Sequence, residues 1–181
     1  MIVRNLGTEA GTGYMIPAVE KFGTAKKNGD NIFLTERKNL MSKVAVVYWS
    51  GSGNTLAMAE AVLEGAKSSG AEAELIQAGD FGPEKVSGYT GIAFGCPAMG
   101  AEQLEESEFE PMWQAVKGNL IGKRIGLFGS YGWGDGEWMR VWHADAESEG
   151  IGLCTECVLG HEAPDEETLE KCRALGQAVA A

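Results

Sequence analysis

The stretch KVAVVYWSGSGNTLAMAEAVLEGAK, residues 43–67, carries the strongest indication of the fold. Its first seven residues are a largely apolar run of the length of a buried strand, and its last twelve have the composition of a helix. Between them stands SGSGNT, Ser50 to Thr55, a short loop of glycines and small polar side chains. The stretch therefore predicts a strand, a tight loop and a helix in direct succession.

The same alternation continues to the C-terminus. Further strands are predicted for AEAELIQ, TGIAFGCP, KRIGLFGS and GIGLCTECVL, and further helices for LEESEFEPMWQAVKG, DGEWMRVWHADAESEG and APDEETLEKCRALGQAVAA. The third strand is almost continuously apolar or small, which indicates burial on both faces. Strands that alternate with helices favour an α/β fold, and right-handed crossovers favour a doubly wound parallel sheet with helices on both faces. We expect Pro111 to interrupt the helix that contains it.

Composition and charge exclude several classes of function. The 181 residues suffice for one domain, no apolar run is long enough to span a membrane, and no signal peptide is present, so we expect a cytoplasmic protein. The formal net charge is −11, with nine Lys or Arg against 22 Asp or Glu in residues 41–181. This excess of acid disfavours nucleic acid as a partner. It suits docking to basic surfaces of other proteins, although solubility alone would also explain it.

Residues 1–40 stand outside the alternating pattern. They hold six Lys or Arg and four Asp or Glu, and they contain glycine-rich pieces such as GTEAGTG. The sequence MSKVAVVYW looks like a natural protein start at Met41. We therefore expect an N-terminal extension at 1–40, either disordered or translated from a misassigned start, and the α/β domain at 41–181. The alternative is a genuine arm that binds a partner.

Four cysteines raise the question of a redox or metal site. Cys154 and Cys157 have the CxxC spacing of a redox pair or half a zinc site, but no second CxxC follows. In a strand, positions i and i+3 point to opposite faces, so we expect unpaired structural thiols and no metal. The absence of a disulfide framework agrees with a reducing compartment.

The loop SGSGNT has the chemistry of a phosphate site. Its glycines allow close backbone approach, its hydroxyl and amide side chains are neutral donors, and the helix that follows presents its N-terminus. The loop contains no lysine, so it is not the GxxxxGK[ST] loop of nucleotide hydrolases, and its glycine spacing does not match GxGxxG either. Because Ser, Asn and Thr are also common helix N-caps, an ordinary capped turn remains an equal alternative from this loop alone.

Two more loops fall at strand ends, where a doubly wound sheet binds its ligands. In PAMGAEQ, Met99 suits contact of its polarizable sulfur with a flat ring, and Gly100 permits a turn with positive φ. In SYGWGDG, Trp133 stands between two glycines and is predicted to stack on a ligand. Together the three loops outline a site for a flat phosphorylated ring.

From about Lys43 onward the chain resembles the short-chain flavodoxins of anaerobic bacteria. The resemblance rests on VYWSGSGNT, GCPAMG, LEESEFEP and LFGSYGWGDGEWMR. It implies a five-stranded sheet of order 2-1-3-4-5 and one noncovalent FMN. It also implies a monomeric, low-potential one-electron carrier that serves redox enzymes, with ferredoxin-type donors and acceptors as partners and no membrane partner. No residue is then catalytic.

The resemblance also assigns the cofactor-binding residues. Met99 resembles the residue on the inner flavin face and Trp133 the one on the outer face. Gly100 resembles the glycine whose peptide turns over on reduction, so that its carbonyl accepts from the flavin N5–H. The full set comprises Ser50, Gly51, Ser52, Gly53, Asn54 and Thr55 in the first loop, Pro97, Ala98, Met99, Gly100, Ala101 and Glu102 in the second, and Ser130, Tyr131, Gly132, Trp133 and Asp135 in the third. Two positions depart from the family, which often has Ser or Thr in place of Pro97 and Asp in place of Ala101.

Two other functions fit parts of the sequence. An FMN-dependent quinone or nitro reductase would need a substrate pocket beside the flavin, which short loops and Trp133 disfavour. A binding module without redox chemistry would use the phosphate loop but leave Met99 and Trp133 unexplained. The acidic run LEESEFE, ending at Glu110, either steers basic redox partners or is a solvated helix face.

Overall fold

Five parallel strands form the sheet that positions the loops. The structure is a computed structural model, and it describes residues 41–181. The strands are β1 Lys43–Tyr48, β2 Glu72–Gln77, β3 Gly91–Gly95, β4 Arg124–Tyr131 and β5 Val158–His161. Their order is β2-β1-β3-β4-β5, and every neighbouring pair is parallel. The predicted doubly wound sheet and its strand order are therefore confirmed.

Helices cover the sheet on both faces. They are α1 Asn54–Ser68, the single turn α2 Pro83–Val86, α3 Phe109–Val116, α4 Glu137–Ser148 and α5 Glu166–Ala180. The buried side chains of α2, α3 and α4 form one apolar cluster, and those of α1 and α5 form another. Alternate residues of β1 belong to the two clusters, Ala45 and Val47 to the first and Val44 and Val46 to the second. This alternation explains why the strand is apolar throughout, since both of its faces are buried.

Two glycines let α1 and α5 pack with their backbones in close approach. A Cβ atom at Gly65 would lie 1.9 Å from the Arg173 carbonyl oxygen, and one at Gly176 would lie 2.0 Å from the Val62 carbonyl oxygen. No side chain fits at either position without moving a helix. These approaches fix α1 against α5 on one face of the sheet.

Two element predictions need correction. Helix α3 begins at Phe109, so Pro111 lies in its first turn and does not interrupt it. Proline is tolerated there because the first amides of a helix have no intrahelical acceptor. The fifth strand is shorter than GIGLCTECVL, since only Val158–His161 pairs as a strand and Leu153 makes one isolated bridge to Ile125.

The CxxC cysteines therefore lie in a loop, but they remain separate. Cys154 packs against the α1–α5 cluster and Cys157 against the α3–α4 cluster, and both thiols are free. Burial raises the pKa of Cys157 to about 11. No group of metal-ligating side chains occurs within residues 41–181. The expected extension at 1–40 lies outside the described residues, and none of the helices in the described part is long and apolar enough to cross a membrane.

Candidate cofactor site

The first loop folds around one serine hydroxyl. The Ser50 Oγ accepts hydrogen bonds from the backbone N–H groups of Gly53, at 3.1 Å, and Leu56, at 3.2 Å. Gly53 is in the left-handed region with φ 93° and precedes the first residue of α1. The amides of Asn54 and Thr55 have no acceptor among the described residues. They are free donors at a helix N-terminus, which is the arrangement that binds a phosphate.

A buried pair of hydroxyls joins this loop to β4. The Thr55 Oγ1 and Ser130 Oγ atoms are 2.8 Å apart, and both residues are buried. Only one hydroxyl hydrogen is used within the pair, so the other remains available as a donor. Two residues that the sequence placed in separate loops, 75 positions apart, are thereby in direct contact.

The second loop is a closed turn. The backbone N–H of Met99 donates to the Gln103 carbonyl at 2.9 Å, and the Gln103 N–H donates back to the Met99 carbonyl at 2.8 Å. Gly100, inside this turn, has φ 51°, which confirms the predicted positive φ. A Cβ atom on Gly100 would meet no atom within 4 Å, so the need for glycine is conformational and not steric.

The third loop presents an indole ring to solvent. Trp133 is 51% exposed, an unusual fraction for so large an apolar side chain, and its Nε1–H donates to the Gly100 carbonyl at 3.2 Å. The carboxylate of Asp135 pairs with the Arg140 guanidinium at 2.6 Å. The second and third loops are thus in contact, with the Trp133 ring beside the turn.

The three loops enclose one cavity at the carboxyl ends of the strands. Its volume is about 320 Å³, within the range of small-molecule sites. Its lining includes many of the predicted residues, namely Gly51, Ser52, Asn54, Pro97, Ala98, Met99, Ser130, Tyr131, Gly132 and Trp133. The other predicted residues do not line the cavity. Ser50 and Gly53 are hydrogen-bonded within the first loop, and Thr55 contacts Ser130. Gly100, Ala101 and Glu102 belong to the second loop, and Asp135 pairs with Arg140.

Two lining residues were missed by the sequence reasoning. Trp49 follows β1 directly, and Glu162 follows β5. The Glu162 N–H donates to the Tyr131 carbonyl at 2.7 Å, and its φ is 56°, a left-handed backbone without a glycine. The signal for both was their position just beyond a strand in a sheet that binds ligands at this edge.

The charge around the cavity is negative. Glu162 is the charged residue in its lining, and none of the lining residues in the described part is a lysine or arginine. Arg140 stays charged, because its hydrogen bond with Asp135 raises the pKa of the guanidinium, but the Asp135 carboxylate offsets that charge. A second negative charge on a bound ring would therefore meet no cationic partner here.

The acidic run beside the turn has two parts. Glu105 is buried and accepts hydrogen bonds from the N–H groups of Ser107 and Glu108, both at 2.9 Å, and of Phe109 at 3.0 Å. Burial alone would raise the pKa of Glu105, but these hydrogen bonds and one from the Ser107 hydroxyl outweigh it and lower the pKa. Glu105 thus caps the start of α3, whereas Glu106, Glu108 and Glu110 are exposed.

These residues fit a phosphorylated flat ring. Free amides and hydroxyls gather at the first loop, while Met99 and the aromatic rings of Trp49 and Trp133 line the other part of the cavity. A cleft of similar volume, about 310 Å³, lies between α3 and α4, but no residue of the SGSGNT loop lines it. Donors and flat apolar walls therefore converge in the first cavity.

Comparison with known proteins decides the family. The family model described as Flavodoxin matches residues 46–176. The flavodoxin of Megasphaera elsdenii is 42% identical over 137 residues, which cover 76% of this chain and 98% of that protein. The chain belongs to the flavodoxin family. The flavodoxin of Clostridium beijerinckii is 38% identical over 135 residues, or 75% of this chain and 97% of that relative.

A solved flavodoxin shares the fold as well as the sequence. The solution structure of two-electron reduced Megasphaera elsdenii flavodoxin has a TM-score of 0.70 and 40% identity, over 76% of this chain and 98% of that one. As a flavodoxin, the chain is an electron carrier that uses FMN, and it is not an enzyme. The resemblance inferred from the loop motifs is confirmed, and the reductase and binding-module alternatives are set aside.

Proposed function

We propose that this flavodoxin holds FMN noncovalently in the three-loop cavity and carries one electron at a time, at low potential, between redox proteins. The observation that supports this proposal is the cavity itself. Free backbone donors lie at one part of it, and Met99 and Trp133 line another. When bound, FMN supplies the one-electron chemistry, and the protein supplies binding, orientation and electrostatics.

The first loop binds the phosphate without ion pairing. The Asn54 and Thr55 amides would donate to the phosphate from the N-terminus of α1. The Ser50 oxygen accepts from two amides, which leaves the hydroxyl hydrogen to donate to the phosphate. The Ser52 and Asn54 side chains line the cavity and add neutral donors. Because the loop carries no lysine, it anchors a terminal phosphate without assisting phosphoryl transfer.

The second and third loops orient the ring. Met99 and Trp133 line the cavity and would hold the two faces of the ring, Met99 through its sulfur and Trp133 through its indole. The Gly100 carbonyl, which here accepts from the Trp133 indole, would be the acceptor for a flavin N5–H, and the positive φ of Gly100 would permit that peptide to turn. Pro97 and Ala101 remove one hydroxyl and one carboxylate that related sequences often have, and the remaining lining residues are sufficient to bind the ring.

The negative surroundings lower the reduction potential. Glu162 lines the cavity, and Glu102 lies in the adjoining turn. An added negative charge on the ring is destabilised by these carboxylates, and no lysine or arginine among the described lining residues offsets them. These carboxylates would therefore disfavour added negative charge on a flavin held in the cavity.

The charge and the cysteines of the protein bear on its partners and its cellular location. We propose basic docking surfaces on the redox partners, such as ferredoxin-type donors and acceptors, because residues 41–181 hold 22 acidic against nine basic residues. The four free thiols suit a reducing cytoplasm.

We also propose that the carrier is a monomer, as the family implies. Residues 41–181 should suffice for FMN binding, because the family match lies within them.

The test is an anaerobic reductive titration of the purified protein loaded with FMN, followed by its visible spectrum. We expect yellow protein that is reduced in two resolved one-electron steps, the second at low potential. A single two-electron step would contradict the proposed role of the Gly100 turn. Residues 41–181 alone should retain FMN with the affinity of the full chain. A chain cut at Met41 that fails to bind FMN would overturn the proposed domain boundary.

A further inference from the structure

One carboxylate links the two loops that flank the ring. The Glu102 Oε1 atom accepts hydrogen bonds from the backbone N–H groups of Gly136, at 3.0 Å, and Glu137, at 2.9 Å. These amides begin α4, whose N-cap residue Gly136 has no side chain to cap them. Glu102 therefore caps a helix that begins 35 residues further along the chain.

The backbone on both sides is shaped for this contact. Glu102 has φ 51°, a left-handed conformation that a residue with a Cβ atom rarely adopts. Gly134, with φ 77°, faces it, and a Cβ atom there would lie 2.1 Å from the carboxyl carbon of Glu102. The second loop thus contains a residue in an uncommon backbone conformation, Glu102. The third loop has a glycine, Gly134, where a side chain would collide with the Glu102 carboxylate.

A second hydrogen bond runs in parallel with the first. The Trp133 Nε1–H donates to the Gly100 carbonyl, at 3.2 Å, so the turn and the third loop are tied at both of their adjoining points. Trp133 itself is exposed, whereas α4 is anchored in the core through the buried side chains of Trp138 and Trp142. The Glu102 contact is therefore the one that connects the turn to a rigid element.

We propose that Glu102 is a positioning residue that sets the separation between the Met99 turn and the Trp133 loop, by fixing the turn to the first amides of α4. This inference rests on the proposed function, in which these two loops hold the two faces of FMN. A carboxylate suits the task because its hydrogen bonds to helix N-terminal amides are assisted by charge and by the helix dipole.

The proposal predicts an order among substitutions. Glu102→Gln keeps an oxygen acceptor at the same reach without the charge, whereas Glu102→Ala removes the contact. In FMN-free full-length protein, we expect hydrogen exchange of the Gly136 and Glu137 amides to be about tenfold faster in Glu102→Ala, and intermediate in Glu102→Gln. Glu106→Ala is the matched control, since Glu106 is exposed and close in sequence. Unchanged exchange in Glu102→Ala would overturn the proposal.

FMN binding distinguishes a positioning role of Glu102 from a role that is limited to capping α4. Glu102→Ala should raise the Kd for FMN by about tenfold and increase the fluorescence of bound FMN, because Trp133 would stack less closely on the ring. Glu102→Gln should recover part of both effects. If exchange changes but Kd and fluorescence do not, Glu102 only caps α4 and the proposal fails.

A double substitution checks the contact itself. Gly134→Ala should weaken FMN binding in the wild-type background, where the new methyl group collides with the Glu102 carboxyl. In the Glu102→Ala background, Gly134→Ala should weaken FMN binding clearly less, because the collision with the carboxyl group is gone. Strictly additive effects would contradict the proposal. If wild-type protein binds no FMN, the proposed function fails, and amide exchange still reports separately on the contact.

Discussion

At the scale of single residues, the site depends on carboxylates that face backbone amides. Glu102 and Glu105 each accept at least two backbone hydrogen bonds from the start of a helix. In the sequence both look like members of an acidic surface run. The reason is physical, because nothing in the local pattern distinguishes a solvated glutamate from one that turns inward to satisfy helix amides.

The pH dependence of stability should reveal Glu105. Its folded pKa is lowered, so in the range just below the unfolded value of about 4.3 the unfolded state binds more protons than the folded state. The stability that Glu105 contributes is therefore fully present above about pH 4.3. It is lost as the pH falls through the lower folded pKa. Glu105→Gln should lower the free energy of unfolding at pH 7 by about 1–2 kcal/mol, measured by denaturant titration.

The difference between Glu105→Gln and wild type should shrink steadily as the pH is lowered below that range. Glu106→Gln, which changes an exposed carboxylate one position away, should alter stability by less than about 0.5 kcal/mol at any pH. A pH-independent gap between Glu105→Gln and wild type would mean that the capping carboxylate is not the group that titrates.

At the scale of elements, the strands and helices were largely predictable and the loops only in part. Near-continuous apolar runs predicted β1 and β3 because both faces of these strands are buried. The phosphate loop and the Gly100 turn were predictable because glycine and small polar residues have specific backbone uses. Trp49, Glu162 and the Glu102 contact depend on segments brought together by the sheet, which local periodicity does not contain.

The close packing of α1 on α5 gives a second stability prediction. In an open helix position, replacement of glycine by alanine stabilises by about 1 kcal/mol. At Gly176 the added methyl group would lie 2.0 Å from the Val62 carbonyl oxygen and 2.8 Å from the Ala66 nitrogen. Because backbone atoms cannot rotate away, we expect Gly176→Ala to destabilise FMN-free protein by about 1–3 kcal/mol in denaturant unfolding.

Gly118→Ala is the matched control for this substitution. A methyl group there would meet no atom within 4 Å, and Gly118 is not in the left-handed region. We expect a neutral result or a gain of up to about 1 kcal/mol. Equal effects of Gly118→Ala and Gly176→Ala would show that the helices can separate without cost, and the close approach would then not be a determinant of stability.

At the scale of the whole molecule, the net negative charge acts on partner proteins at a distance from the cofactor site. The acidic excess was readable from composition, but its placement was not, since Glu105 turns inward while Glu106 and Glu110 are exposed next to the turn. We expect the second-order rate of electron transfer from reduced protein to a basic c-type cytochrome to fall by about tenfold between 20 and 200 mM salt. Stopped-flow absorbance under anaerobic conditions measures this rate.

Substitutions can locate the surface that steers the partner. Glu106→Gln and Glu110→Gln together should lower the low-salt rate several-fold and flatten its salt dependence, because they remove exposed charge beside the turn where electrons leave. Glu84→Gln is the control, since Glu84 lines a cleft with Lys43, at the start of β1, whereas the cofactor cavity lies at the other end of that strand. It removes one charge where the pair of substitutions removes two, so the slowing is compared per charge removed. It should leave the rate within about twofold, because exposed charges more than a Debye length from the docking surface are largely screened. Equal slowing per charge by the two kinds of substitution would mean that net charge, and not the surface beside the turn, governs the encounter.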